Sequence, residues 1–353
     1  MNPLETSLPP RRAQNPWPAV LFVVLTVTGI FVAKWDPYFI KVFQVASTHT
    51  LGASIVTGTH RAAPPVGLAA AVSYATAYLK DIWIAFIVGL VVAAGVEALL
   101  PEGWLIRLLG RADWGSATLA VAAAVPSMMC TCCSAPIAVS LKRQQVSNGA
   151  VFAYWVGNPV LNPATIVFMG FVLGWNWALL RIIMGIALVA GAAYIGNRWA
   201  HHDSVAAIRA QLGTPQRLPG SRSTRFFRAL GRLTVSLIPE YVIIVGVLGA
   251  VRAWLFPALS PHLGQSPLLF LGLAVAGTLF VIPTAGEIPI VSSLLTYGLS
   301  TMTAGALLLT LPAISLPSMA MVSQAVPKSD IARLAVLVVL AGLFTGVVAH
   351  FVI

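Results

Sequence analysis

The chain has 353 residues, of which 58% are hydrophobic and only 9% charged, and its mean hydropathy is +0.88. A soluble domain carries about 25% charged residues, so no water-soluble fold of this length could hide that much apolar surface. The formal net charge of +11 does not indicate a nucleic-acid partner, because the arginines sit between apolar runs and form no basic face interleaved with aromatics. That distribution is the one expected of loops held on the cytoplasmic side of a membrane.

Spans of about 20 residues divide the chain into seven to nine helices. The class expected is therefore an all-α polytopic membrane protein, multi-pass, in an inner (plasma) membrane, with the lipid bilayer as its constant partner. Arg11 and Arg12 precede an apolar run from Trp17 to Ala33. This run is long and lacks a small-x-small cleavage site, so it reads as an uncleaved first helix.

Further apolar segments run from Ile82 to Leu100, Ala117 to Leu141, Gly149 to Leu173 and Trp177 to Ile195. After a polar stretch come Val235 to Trp254, Leu268 to Leu295, Ala304 to Val322 and Ile331 to Ile353. The polar stretch, Asn197 to Arg232, carries seven arginines with Pro215 and Pro219 and reads as a basic cytoplasmic connection. The organisation expected is an N-terminal helix and connecting segment (1–81), a first membrane repeat (82–196), the basic loop (197–232) and a second membrane repeat (233–353).

Two segments are too interrupted to be ordinary spans. Ala117 to Leu141 holds Pro126 and Pro136, and Leu268 to Leu295 holds Pro283, Gly286 and Pro289. Proline removes a backbone donor and blocks the preceding turn, so these helices must break. If both crossed fully, Lys142, Arg143 and the arginine-rich loop would fall outside. If both enter and leave on one side, these residues and Lys328 return to the cytoplasm, as the positive-inside tendency requires.

That topology gives each half about three spans plus one re-entrant broken helix. An odd number of spans inserts the second half upside down, as an inverted repeat. The interval from Pro136 to Pro159, 23 residues, recurs from Pro289 to Pro312, and Asn148-Gly149-Ala150 parallels Ala304-Gly305-Ala306. Inverted repeats with interrupted helices are a recurring transporter plan, because unwound backbone is tolerated only where it faces a cavity or ligand.

All three cysteines fall within Cys130-Thr131-Cys132-Cys133 at the first break. Thiolates are soft ligands suited to Cu(I), zinc or a trivalent metalloid, and Met128 and Met129 could add thioethers. Simple packing of small residues and a C-x-x-C redox pair, Cys130 with Cys133, are the other readings. Gly157-Asn158-Pro159-Val160-Leu161-Asn162-Pro163 sets two Asn-Pro pairs inside an apolar span, offering either a polar pathway lining or helix-to-helix hydrogen bonds. Its counterpart around Pro312 and Pro317 carries Ser315 and Ser318.

Pro283-Thr284-Ala285-Gly286-Glu287-Ile288-Pro289 places an acid in the second broken segment. Glu287 could take up a proton, meet a cation, or serve as an ion pair or helix cap. Glu97 and Glu240 read as interfacial, Arg181 as snorkelling from near the start of its span, and His201 with His202 as a solvated loop pair. No Walker loop, dinucleotide fingerprint, H-E-x-x-H or G-x-S-x-G elbow occurs in a sensible context, so no enzyme activity and no bound cofactor are expected. Proton coupling and passive conduction both stay open.

The three motifs, Cys130-Thr131-Cys132-Cys133-Ser134-Ala135-Pro136, Gly157-Asn158-Pro159-x-x-Asn162-Pro163 and Pro283-Thr284-x-Gly286-Glu287-Ile288-Pro289, together resemble those of the bacterial permeases of the YraQ type. That superfamily includes the ArsP efflux permeases for trivalent organoarsenicals. The resemblance covers roughly Ile82 to Ile353. It implies a cytoplasmic-membrane permease whose Cys130, Cys132 and Cys133 match a motif implicated in substrate handling by the arsenical exporters. Here the motif reads C-x-C-C where many members read C-x-C.

The candidate substrate-binding set is thus Cys130, Cys132, Cys133, Asn158, Asn162, Thr284, Glu287 and Ser315. The expected substrate is a small, thiophilic solute such as a trivalent organoarsenical or a soft metal species, moved in efflux. The rival reading is a membrane thiol-redox or metal-binding protein that transports nothing, and flux in reconstituted vesicles separates the two.

Overall fold

The computed structural model describes residues 17–58, 63–100, 102–199, 221–256 and 266–353. Most of the basic loop expected over 197–232, including His201 and His202, lies outside them. Its two ends do not, and both are helical: Asn197 belongs to the helix before it and Arg222 to Arg232 to the helix after it.

Among the described residues the chain is helical throughout, with no strand beyond an isolated bridge between Ser54 and Gly58. Seven helical stretches there are long and apolar enough to cross a membrane. The protein is an all-α polytopic membrane protein.

The first span is built from α1 (Trp17–Ile30) and α2 (Asp36–Thr48), joined through a π-helical turn, Phe31–Trp35. It continues well past Ala33 into a stretch that looks less apolar in sequence. The second, α3 (Leu68–Ala98), takes in the stretch before Ile82 as one helix. A short α4 (Glu102–Leu109) follows.

The first broken segment is two half-helices, α5 (Trp114–Ala124) and α6 (Thr131–Arg143). Then come α7 (Asn148–Val160) and α8 (Pro163–Val172), which share one span, and α9 (Trp175–Trp199). In the second half α10 (Arg222–Leu255) precedes a second pair of half-helices, α11 (Pro267–Leu279) and α12 (Glu287–Thr296). α13 (Thr301–Ala313) and α14 (Leu316–Val322) share a span, and α15 (Lys328–Val352) closes the chain.

Proline accounts for the breaks. Each interior proline leaves the carbonyl four residues earlier without its helical donor, and polar side chains restart the helix beyond. Asn162 caps α8 by accepting from the Ala164 and Thr165 N–H groups at 3.0 and 3.3 Å. Ser318 Oγ accepts from the Ser315 N–H at 3.0 Å at the start of α14. Both half-helix breaks also force an L-residue into the left-handed region, Met128 at φ 49° and Ala285 at φ 66°. Such residues cost about 1–3 kcal/mol each and persist where the surroundings over-determine them.

Each broken segment returns to the end of the bundle it left. The Ser147 N–H, at the start of α7, donates to the Leu109 carbonyl at 2.9 Å, so the chain from α4 through α5 and α6 comes back to one place. Glu97, at the end of α3, sits at this same end and accepts from Ser140 and Arg143 of α6 at 2.9 and 3.3 Å and from Arg232 of α10. Glu97 is buried, which corrects the reading of it as a merely interfacial acid. Glu240 is exposed, with Gln324 donating to it at 3.4 Å.

Asp113 caps α5 nearby, accepting from the Ser116 N–H at 2.8 Å, a bond that holds its carboxyl below the usual carboxylate range. For the second segment, Gly346 of α15 lies against both Phe270, near the start of α11, and Met302, at the start of α13. α15 relates the two sites, because its Asp330 meets Asn148 of α7 at 3.3 Å. From Asp330 to Gly346 the helix rises about 24 Å. The two broken segments therefore enter from opposite ends.

The span of α13 and α14 is almost wholly buried and that of α1 and α2 almost wholly exposed, with Leu21, Val24, Val27 and Phe31 turned outward. α10 and α15 present Ile243, Val247, Leu340 and Phe344 in the same way. An apolar belt of this kind is what lipid contact requires.

Labelling of single cysteines placed in a cysteine-free background should report Gln145 and Ser221 from one face of the membrane and Ser300 and Ile353 from the other. Gln145 and Ser300 reacting from the same side would overturn the opposed entry of the broken segments.

Candidate functional site

The two breaks meet. A narrow pocket between them is lined by Cys130 and Thr131 from the first and by Pro283, Thr284 and Glu287 from the second, with Pro159, Thr165 and Pro312 of the two interrupted spans alongside. Three half-helices, α6, α8 and α12, begin at this pocket, so the positive ends of their dipoles converge there.

The backbone groups freed by the breaks are gathered by side chains. Arg181 of α9, 2% exposed, donates through Nε to the Val160 carbonyl at 2.8 Å and through Nη2 to the Pro159 carbonyl at 3.1 Å. It donates through Nη1 to the Leu308 carbonyl. Pro163 leaves the Pro159 carbonyl free and Pro312 leaves that of Leu308 free, while the donor that would have served Val160, the Ala164 N–H, is taken by the Asn162 cap.

The remaining contact of Arg181 is with Glu287 Oε1 at 3.4 Å. Arg181 therefore does not snorkel to an interface; it is buried and bonded across both interrupted spans. Glu287, 1% exposed at the first position of α12, keeps Oε2 without a partner.

Asn158 braces the first break, its Oδ1 accepting from the Ser127 hydroxyl and the Met129 N–H, both at 2.8 Å. Its Nδ2 and that of Asn162 have no partner although both residues are fully buried. The second break is held by Tyr74 of α3, whose hydroxyl donates to the Val281 carbonyl. Thr284 receives a hydrogen bond from Lys34 Nζ at 3.1 Å, and the indole of the neighbouring Trp35 donates to the Pro126 carbonyl at 2.8 Å. The π-turn of the first span thus touches both breaks.

The cysteines divide. Cys130 is the N-cap residue of α6 and lines the pocket, and its sulfur lies 3.0 Å from that of Cys133 one turn on. Cys132 faces the other way, toward Ser315 Oγ at 3.5 Å, and Thr131 Oγ1 also meets Ser315 at 3.3 Å. All three are free thiols and buried. Among the described residues no three His, Cys, Asp or Glu side chains come together as a metal-holding group.

The fold thus brings Cys130, Thr284 and Glu287 to one pocket, with Cys133 behind Cys130. Cys132 and Ser315 form a second contact between the halves, and Asn158 and Asn162 frame the breaks. Sequence reasoning missed Lys34 and misread Arg181. A lone basic residue within an apolar run was the available signal for each.

A family model described as predicted permease, ArsP_1, matches residues 68–351. The UPF0718 protein YraQ of Escherichia coli K12 is 41% identical over 330 residues, covering 94% of each chain. The UPF0718 protein MJ0584 of Methanocaldococcus jannaschii is 20% identical over 338 residues, 76% of this chain and 92% of that one. No solved structure matches.

Replacing Arg181 by Met leaves three carbonyls and a buried carboxylate uncompensated, a loss of about 3–5 kcal/mol, read as a lower melting temperature in detergent. Glu287→Gln should cost less, because the three carbonyls keep their donor and the amide oxygen can still accept from Arg181, although the guanidinium then lacks a counter-charge. Equal destabilisation by the two would show that the carbonyls do not depend on the guanidinium.

Proposed function

Because the chain belongs to the ArsP_1 family of predicted permeases, we propose that it is a secondary transporter whose solute passes through the pocket between the two breaks, in efflux across a bacterial inner membrane. The observation that carries this reading is the convergence of Cys130, Thr284 and Glu287 on one pocket lined by unwound backbone. Unpaired backbone at membrane depth is tolerated where it lines a cavity. Transporters use such half-helix ends to hold a solute between two halves that rock against each other.

The two halves, each with three spans and a broken helix, are read as inverted repeats divided at the central basic loop. Support comes from the opposed entry of the two half-helix pairs, the matched left-handed residues at their breaks, and the polar restarts at Asn162 and Ser315. The basic loop is taken as cytoplasmic on the strength of its arginines.

The solute is thiophilic in this reading. Cys130 reaches the pocket with Cys133 as a second sulfur, a dithiol that suits a soft atom such as a trivalent organoarsenical or a soft metal species. Cys132, turned to Ser315, supports the contact between halves instead of the solute. The affinity of a two-sulfur site stays modest, as release requires, whereas a closed tetrahedral site would act as a structural metal centre. Glu287 supplies the coupling: its free Oε2 at the pocket can take a proton and so change the charge that faces Arg181.

In vesicles containing the purified protein, Cys130→Ser and Cys133→Ser should each lower flux of a trivalent arsenical at least tenfold, while Cys132→Ser should lower it less. Glu287→Gln should abolish the dependence of that flux on a proton gradient. A triple Ser variant that transports normally defeats the thiophilic assignment, and absence of any solute-dependent flux in wild-type vesicles defeats the permease reading.

A further inference from the structure

Lys34 is 4% exposed at membrane depth, and no carboxylate among the described residues pairs with it. Asp36, two residues on, is exposed, and Glu287 is already paired with Arg181. The ammonium is held by two neutral oxygens, Tyr38 Oη at 3.3 Å and Thr284 Oγ1 at 3.1 Å, and lies over the Tyr38 ring at 5.2 Å. A buried cation supported only by neutral groups is costly, and within a membrane such groups mark ligand sites. The backbone here is also special, since Lys34 lies in the single π-turn of the span, a feature frequent at functional sites.

Charge and donors at the pocket point the same way. Arg181 and Glu287 cancel, whereas Lys34, which stands behind the lining residue Thr284, is balanced by no carboxylate among the described residues. The amide nitrogens of Asn158 and Asn162 are buried donors without acceptors; Asn158 adjoins the lining residue Pro159, and Asn162 caps the turn that carries the lining residue Thr165. The positive ends of α6, α8 and α12 add to the same sign. Beyond the Cys130 and Cys133 thiols, which lie near enough for their charge to act on Lys34, no negatively charged acceptor among the described residues completes this arrangement.

We propose that Lys34 is a solute-binding residue of this pocket and that the solute it serves is a small oxyanion of a thiophilic element, held between the ammonium and the Cys130 sulfur. The inference rests on the permease reading and sharpens its substrate class from soft solute to soft anion. It also assigns a binding role to the first span, which lies outside the matched residues 68–351.

The test uses full-length protein in vesicles and in detergent, with selenite and thiosulfate as anionic probes and phenylarsine oxide as a neutral thiol-reactive probe. Wild type should bind and carry at least one of the anions. Lys34→Met should weaken that binding at least tenfold while changing phenylarsine oxide binding less than twofold, and Lys34→Arg should restore most of the loss. Thr284→Val, which removes the hydroxyl that holds the ammonium, should weaken anion binding by a smaller factor and guards against a misfolded Met variant.

Three results overturn the proposal: no anion bound by wild type, anion binding unchanged in Lys34→Met, or equal losses for the anion and the neutral probe. Flux of phenylarsine oxide without flux of either anion would remove the anion assignment and leave the permease reading standing. Loss of both in wild type would remove the permease reading itself.

Discussion

The structure depends on a single guanidinium. Four prolines, two in each interrupted span, open the helices at the level where lipid offers no water to satisfy the backbone. Arg181 reaches carbonyls from both spans at once: Pro159 and Val160 on one side and Leu308 on the other. Without it the breaks would leave three buried acceptors empty at a cost of about 1 kcal/mol or more each. With it, irregular backbone can exist at the centre of the bundle, and the pocket follows. Arginine suits the task because its planar fork presents five donors that cannot be lost by deprotonation.

The same geometry determines which chemistry faces the pocket. A half-helix that starts at the bundle centre turns its first N–H groups and its N-cap residue inward, so Cys130 is delivered to the pocket by standing at the N-cap position of α6. The next turn brings Cys133 beneath it, while Cys132, on another face of α6, is carried to Ser315. Three cysteines in four positions therefore cannot act as one equivalent cluster on a helix; the 3.6-residue repeat separates the middle one. Gly89 of α3 permits the approach. A Cβ there would lie 2.5 Å from the Cys133 carbonyl oxygen, closer than real Cβ contacts allow.

Much of this was legible in the sequence. Seven spans and two broken segments could be read from apolar length, proline position and the placement of Lys142, Arg143 and Lys328, because those signals are local and follow from the bilayer alone. Arg181 and Lys34 were not, for a shared reason. A basic residue within a span can snorkel, pair with an acid or bind backbone, and only the three-dimensional position of the freed carbonyls decides among these. The partners of Arg181 are 21, 22, 106 and 127 residues distant, so no spacing rule reaches them. The contact of Lys34 with Thr284 spans 250 residues and requires the first span to pack on the second break.

The clamp also constrains how the site could open. Arg181 and its acceptors Pro159 and Val160 belong to the first half of the chain, whereas Leu308 and Glu287 belong to the second. In the proposed rocking of one half against the other, the bonds to Leu308 and Glu287 would break while those to Pro159 and Val160 persist. Arg181 sits in the second turn of α9, which packs within the first half of the chain, so the bonds to the second half are the ones that yield. In the proposed cycle, protonation of Glu287 would remove the charge attraction and leave the Leu308 carbonyl as the main tie across the interface, so that both ties to the second half act through Arg181.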